Sequence, residues 1–294
     1  MDFKFGFFES PGGHCVEENA ENKPAPLSEI PAAFQAKKLS ISDIWTKTMA
    51  LPTRNLTLSG GEVITIYNEQ AVEECIKTTA GRDRSAIVDD AVLVALSSEN
   101  DVVAGVIEGG FTIWEGTWHL LEHLKQESVD FAGKSVLDLG CGGGLLGLFA
   151  LLHGASSVTF QEYNEVILKA WVIPNVTLLQ KEFSDRTSFI SGDWEDLAKF
   201  WMANETTFDI VLSAETIYRP ELYSKLHTVL EAICAPSDGG SIVYLVSKLK
   251  YYGPGGDACD FGAFLDRNGV FSYKLIQLTT KGTSFVCFEI KRKS

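Results

Sequence analysis

Residues 135–147 constrain this chain more than any other stretch. Val136, Leu137 and Leu139 form a short apolar run of the kind that suits a buried parallel strand. Glycines at 140, 142, 143 and 144 end the run, and residues 145–152 resume with helical spacing. Strand, glycine turn and helix in that order let a ligand approach the backbone closely, because a Cβ at the turn would block it. The glycine spacing leaves several readings open. Gly142, Gly144 and Gly147 satisfy the G-x-G-x-x-G pattern of dinucleotide sites, and a tight strand-to-helix turn needs no ligand. Asp138, two residues before the first glycine, tilts the choice away from a dinucleotide.

A chain of 294 residues accommodates one large α/β domain with appendages, or two domains, and 45% apolar content is enough for a sizeable core. No apolar run approaches the length of a membrane span. The first residues, with Phe3, Phe5 and Phe7 in alternation, lack the charged-then-apolar order of a signal peptide, so a cytoplasmic address is expected, with the nucleus as a second one. The net charge is −14, from 25 basic and 39 acidic residues. Direct binding to nucleic-acid phosphates would call for a basic face, whereas this balance suits a basic protein partner. Cysteines at 15, 75, 141, 234, 259 and 287 include no C-x-x-C pair, which points to reduced, mostly buried thiols and no structural metal.

Three segments follow from the pattern. Residues 1–40 form an amino-terminal segment, and from 9 onward they are rich in Pro, Glu, Asn, Ser and Ala, a linker composition. Residues 41–108 form a small extension, with a hairpin around Ser59, Gly60 and Gly61 and a short helix over 69–78. Residues 109–294 form the main domain. A helix is expected over 118–127, with Leu120, Leu121 and Leu124 on one side. Strands follow at 135–140, 158–163, 187–192, 208–214 and 241–247, with a helix over 220–234 carrying Pro220 in its first turn. Residues 271–278 and 284–290 close the chain as an antiparallel pair across a turn at Lys281 and Gly282. The fold class is α/β: a doubly wound, mostly parallel seven-stranded sheet with an antiparallel terminal strand.

In such a sheet, ligands bind at the carboxyl ends of strands near the point where the strand order reverses. The second strand ends in Gln161, Glu162 and Tyr163, and Glu162 stands about 20 residues past the turn glycines, where a carboxylate can accept from a ribose diol. The third ends in Gly192, Asp193 and Trp194, an acceptor beside an aromatic face that suits adenine. The fourth brings Ser213, Glu215 and Tyr218, a hydroxyl, a carboxylate and a phenol, to the expected cleft. Each alone reads as a surface acid, a core-edge Trp or a helix cap. Together, each after an expected strand, they point to one site.

Asp138, Gly140, Gly142 and Gly144 resemble the first motif of class I S-adenosylmethionine-dependent methyltransferases. Residues 109–115, 160–164, 174–176, 191–194 and 213–220, with Ser247, Lys248 and 251–256, resemble the histidine protein methyltransferases, seven-strand enzymes that modify a histidine of ribosomal protein uL3. That family usually carries Asp where Glu162 stands, and no basic cluster for nuclear import lies near 178–186. The resemblance implies that Ile113, Trp114, Glu115, Gly116 and Thr117 close over S-adenosylmethionine. It makes Asp138 a cofactor-binding residue of the glycine turn and places Gly140 at the methionine moiety, Gln161, Glu162 and Tyr163 at the ribose, and Gly192, Asp193 and Trp194 at the adenine. Ser213 falls near the methyl donor, and S-adenosylhomocysteine is the product. The implied activity is transfer of a methyl group to the histidine Nε2 of a basic protein by a monomer, with Glu215 and Tyr218 as catalytic residues.

Imidazole needs no strong base before it attacks, because its pKa near 6.5 leaves it neutral at pH 7. A carboxylate accepting the other ring N–H would fix the tautomer and offset developing charge. Glu215 is the candidate, with helix capping or contact with the cofactor's ammonium as its competing roles. Protein-lysine methylation on the same cofactor site, a dinucleotide-dependent oxidoreductase and an idle binding module are the alternatives. His119, Glu122 and His123 match H-x-x-E-H, a zinc-protease pattern, but no third ligand is evident and an exposed helix surface is the plainer reading. The glycine-rich loop at 253–256 either flanks the cleft or serves as a connector.

Overall fold

The computed structural model describes residues 35–80, 88–98, 102–179, 181–236, 240–279 and 282–294. The Phe3–Phe5–Phe7 alternation, most of the expected linker and Lys281 of the terminal turn lie outside them. The amino-terminal part contributes β1 (Lys37–Leu39), a hairpin of β2 (Thr53–Thr57) and β3 (Val63–Tyr67), helices α1 (Glu69–Ala80) and α2 (Asp90–Leu96), and a second hairpin of β4 (Val102–Val103) and β5 (Ile107–Glu108). Helix α3 (Glu115–Gln126) leads to β6 (Ser135–Leu139), α4 (Leu145–Leu152) and β7 (Ser157–Glu162). Then come α5 (Glu165–Ile167), a π-helical turn (Leu168–Val172), α6 (Ile173–Leu179), β8 (Thr187–Ser191), α7 (Trp194–Ala203) and β9 (Ile210–Ala214). The chain closes with α8 (Leu222–Ile233), β10 (Ile242–Lys248), α9 (Ala258–Asn268), β11 (Phe271–Gln277) and β12 (Phe285–Arg292).

The main sheet runs β1-β8-β7-β6-β9-β10-β12-β11. Strands β6 to β10 are mutually parallel, and β12 is antiparallel to both β10 and β11. These are the seven expected strands. The eighth, β1, pairs antiparallel with β8, Lys37 opposite Ser191, in a stretch whose composition read as linker. Three residues without alternating apolar character give no strand signal, and the free edge of β8 supplies the missing partner.

Alternate residues of each strand feed opposite faces of the sheet. Val136, Phe160, Leu212 and Val246 pack with α3, α4 and the segment 166–176. Leu137, Leu139, Val211 and Leu245 pack with α7, α8 and α9. Burial on both faces explains why the central strands read as continuous apolar runs. Gly147 belongs to this packing, since a Cβ there would stand 2.3 Å from Phe160.

Two helix starts differ from expectation. α3 begins at Glu115, three residues early, because its amino end is capped by a side chain from elsewhere in the chain, described below. α8 begins at Leu222, so Pro220 precedes the helix and Glu221 sits at its cap.

Candidate active site

Because β6 to β10 are parallel, their carboxyl ends share one edge of the sheet, and the chain's direction of winding reverses between β6 and β9. The turn after β6 is shaped by Gly140, Gly142 and Gly144, at φ of +68°, +50° and +78°, values that side-chain-bearing residues rarely adopt. A Cβ on Gly140 would come within 3.0 Å of Thr216 and 3.8 Å of Trp194, so the turn is a cradle that any side chain would fill.

Gln161 gathers several of the expected site residues. Its Oε1 accepts the Gly140 N–H and the Trp194 indole N–H, both at 3.0 Å, and its Nε2 donates to the Gly192 carbonyl at 3.1 Å. Glu162 is buried, its carboxylate accepting N–H groups of Gly142 (3.1 Å), Tyr163 (2.8 Å) and Asn164 (3.3 Å). Burial, backed by the charge of Glu108, raises its carboxyl to about 7, partly offset by those N–H groups. Asp138 is more extreme: burial pushes it to about 8, although its Oδ2 accepts the Gly147 N–H at 2.8 Å.

These bonds bear on the ligand class. In a pyrophosphate site the amide groups of the glycine turn point at the phosphates. Here the N–H groups of Gly142 and Gly147 are already taken by the buried Glu162 and Asp138 side chains and are not offered to a phosphate. The donor set fits a ligand with a ribose and a purine but no phosphate, and the dinucleotide reading loses its main support.

Other expected residues serve the scaffold. Ser213 is fully buried and donates to the Leu139 carbonyl at 2.9 Å. Asp193 caps α7 through the Glu195 N–H and pairs with Lys225 at 2.6 Å. Ile113 packs on the core. The Glu115 side chain is largely exposed and faces His119 at 3.7 Å. The Thr117 N–H donates to the Trp114 carbonyl at 3.1 Å. Trp114 donates its indole N–H to the Gly109 carbonyl at 3.1 Å and lines a cleft of about 720 Å³.

Glu215 and Tyr218 line the same cleft, with Lys248, Tyr251 and Glu108. Glu215 holds a left-handed φ of +56°. Its Oε1 accepts the Gly116 N–H at 2.7 Å, and its Oε2 lies 3.5 Å from Lys248 Nζ. Tyr218 donates its hydroxyl to Glu108, whose two oxygens each lie 2.9 Å from Arg219 Nη2. Burial first, then the Glu108 charge, pushes the Tyr218 phenol well above its ordinary range. Burial does the same to Tyr251, helped by Glu215.

Glu108 is the cleft residue that sequence reasoning passed over. It sits on β5, in the part assigned to the extension, and its only signal is a carboxylate immediately before Gly109 and Gly110. Asn175, in the 174–176 segment of the resemblance, is fully buried on α6: its Oδ1 accepts the Tyr67 N–H at 2.9 Å and its Nδ2 donates to the Gly143 carbonyl at 3.1 Å, tying the first hairpin to the glycine turn. The H-x-x-E-H residues point elsewhere. Glu122 accepts from Ser59, His119 lies against Phe285, and His123 is buried beside Tyr244 and Glu289. Among the described residues no group of three His, Cys, Asp or Glu could hold a metal ion.

The strand order and the site at its reversal point define a class I methyltransferase fold. A sequence family described as lysine methyltransferase matches residues 94–252, more than half of the chain, and the chain belongs to that methyltransferase family. Among similar proteins is a histidine protein methyltransferase 1 homolog of Bos taurus, 34% identical over 230 residues, covering 70% of this chain and 61% of the relative. Another of that name, from Dictyostelium discoideum, is 37% identical over 191 residues, covering 65% and 60%. The protein N-lysine methyltransferase METTL21A of Xenopus tropicalis is 29% identical over 141 residues, covering 47% and 60%. The resemblance to histidine protein methyltransferases expected from the motifs is therefore met by relatives of that name. The chain spans about three fifths of the length of the curated relatives it matches.

Proposed function

We propose that this chain is an S-adenosylmethionine-dependent protein-histidine N-methyltransferase, acting on the Nε2 of a histidine in a basic protein, with ribosomal protein uL3 as the expected substrate. When bound, S-adenosylmethionine supplies a methyl group on a positively charged sulfur. Gly140 lines the place for its methionine end, Gln161 stands by the ribose, whose hydroxyls Glu162 accepts from, and Trp194 offers its face to the adenine. An acidic and aromatic lining of this kind suits a cationic ligand without phosphates.

The observation that carries histidine over lysine is the charge balance of the cleft. Glu108 is paired with Arg219 at 2.9 Å and Glu215 faces Lys248 at 3.5 Å. A lysine arrives as an ammonium that must be attracted and then deprotonated, which calls for an uncompensated carboxylate. An imidazole arrives neutral at pH 7 and already carries its lone pair. Two carboxylates, each matched by a cation, suit the neutral ring. What remains for the protein is to orient the ring and bring nitrogen and methyl carbon to roughly 3–3.5 Å.

The family described as lysine methyltransferase and the METTL21A similarity keep protein-lysine methylation as the second reading. Amino-acid analysis of uL3 methylated by the purified protein separates them: N-methylhistidine supports the proposal, and methyllysine overturns it.

A further inference from the structure

Glu108 has no assigned role, yet four contacts fix it. It accepts the Tyr218 hydroxyl, takes both 2.9 Å contacts from Arg219 Nη2, and accepts the Gly105 N–H at 2.7 Å. The hairpin that carries it is itself pinned to the end of β7: Tyr163 Oη donates to the Gly105 carbonyl at 3.0 Å and Asn164 Nδ2 to the Val106 carbonyl at 2.7 Å. Thus the carboxylate is held by four contacts at the wall of the cleft.

A phenol has one proton and, on the same oxygen, lone pairs able to accept. With the Tyr218 proton directed at Glu108, that oxygen can only accept from any further partner. Arg219 Nη2 approaches it at 3.5 Å, the outer limit of a hydrogen bond, so an acceptor direction is left for a ligand in the cleft. The Glu215 carboxylate, expected to play the acceptor, is committed to the Gly116 N–H and faces Lys248.

We infer that the Tyr218 hydroxyl oxygen receives the N–H of the substrate imidazole and that Glu108 is the positioning residue that turns this oxygen toward it. The inference rests on the histidine reading above. Neutral imidazole has one N–H and one bare nitrogen, so holding the N–H selects which nitrogen is left to attack. The Glu108–Tyr218 pair therefore sets which of the two ring nitrogens is methylated. A lysine amine has a single nitrogen and would gain nothing from such a device.

The test uses the full chain, S-adenosylmethionine and recombinant uL3, with amino-acid analysis that resolves the two N-methylhistidine isomers. Wild type is expected to give one isomer. Glu108→Gln and Tyr218→Phe should each lower kcat by about tenfold or more, leave S-adenosylhomocysteine affinity within about twofold, and release some of the other isomer. The double variant should be no slower than Tyr218→Phe alone, because both changes remove one device. If the two effects multiply, or if Tyr218→Phe retains wild-type kcat and a single isomer, the inference is overturned. Tyr218→Phe is isosteric and keeps the test valid should Glu108→Gln fold poorly beside Arg219. Methyllysine in the wild-type product would overturn the histidine reading and this inference with it; N-methylhistidine with multiplying effects would overturn this inference alone.

Discussion

Glu215 caps a helix from 99 residues away along the chain, its Oε1 accepting the N–H of Gly116, the second residue of α3, at 2.7 Å. The carboxylate meets the positive end of the α3 dipole, and Glu215 adopts its left-handed φ of +56° to reach it. Residues 113–117, expected to close over the cofactor, are thereby joined to the floor of the cleft. Gly116 is required for the fit, because a Cβ there would lie 2.6 Å from Glu215 Cγ.

Gly116→Ala tests this joint. Alanine is the better helix former, so propensity alone predicts a small gain in stability. The clash with a buried side chain predicts instead that Glu215 is displaced. Turnover should fall about tenfold or more, while the thermal midpoint moves by only a few degrees, because the costs of overpacking and the propensity gain are both of order 1 kcal/mol. Unchanged turnover would mean that the Glu215 position is immaterial.

Glu215→Gln separates capping from charge. An amide oxygen can still accept the Gly116 N–H, but the negative charge facing Lys248 is gone. Turnover should fall by roughly 10- to 100-fold with cofactor affinity nearly unchanged. Calorimetry with S-adenosylhomocysteine provides the check: affinity lost in step with activity would place Glu215 against the cofactor.

The α3–Glu215 joint also marks what the sequence could and could not disclose. Strands β6 to β10 were legible because burial on both faces leaves an apolar run that a glycine or a polar residue ends. The end of β7 was legible because Gln161, Glu162 and Tyr163 follow such a run at once. The start of α3 was not, since its N-cap position is Trp114, not a Ser, Thr or Asp, and its cap arrives through tertiary structure. β1 was hidden for the same reason, its strand character coming from the edge it pairs with. Glu108 was missed because a lone carboxylate in a two-residue strand becomes a site residue only when Tyr218 and Arg219 are brought to it across the fold.

Cofactor affinity should depend on Glu162 and Trp194. Glu162→Ala removes the ribose acceptor and frees the Gly142 N–H, and Trp194→Ala removes the aromatic face and its bond to Gln161. Losing an aromatic anchor that the bound ligand desolvates often costs about 2 kcal/mol or more, near 30-fold in affinity. If both variants bind S-adenosylmethionine as wild type does, the adenosine end lies elsewhere.

Association with a basic substrate should be salt-dependent. The charge of −14 steers a cationic partner from beyond contact distance, and ions screen that field within about 10 Å at 0.1 M salt. Stopped-flow association with uL3 should be several-fold slower at physiological ionic strength than at low salt. A rate indifferent to salt would remove steering and leave the methyltransferase assignment untouched.

Asp138 should give the apoprotein an unusual pH dependence. Its folded-state pKa, raised by burial to about 8, lies above the ordinary carboxyl value of 3.8. The protonated form is thus the one the fold prefers. Its contribution is fully present below pH 4, where the unfolded chain is also protonated, and declines as pH rises toward 8 and the buried group must ionise. Asp138→Asn mimics the neutral form at every pH. Its Oδ1 can still accept the Gly147 N–H, and its amide fills the place of an oxygen that has no partner among the described residues. Relative to wild type, the variant should therefore become progressively more stable from pH 5 to pH 8, by on the order of a few kcal/mol. Denaturant midpoints of both proteins across that range provide the measurement. A stability difference that stays flat with pH would show that Asp138 is ionised in the fold at no cost.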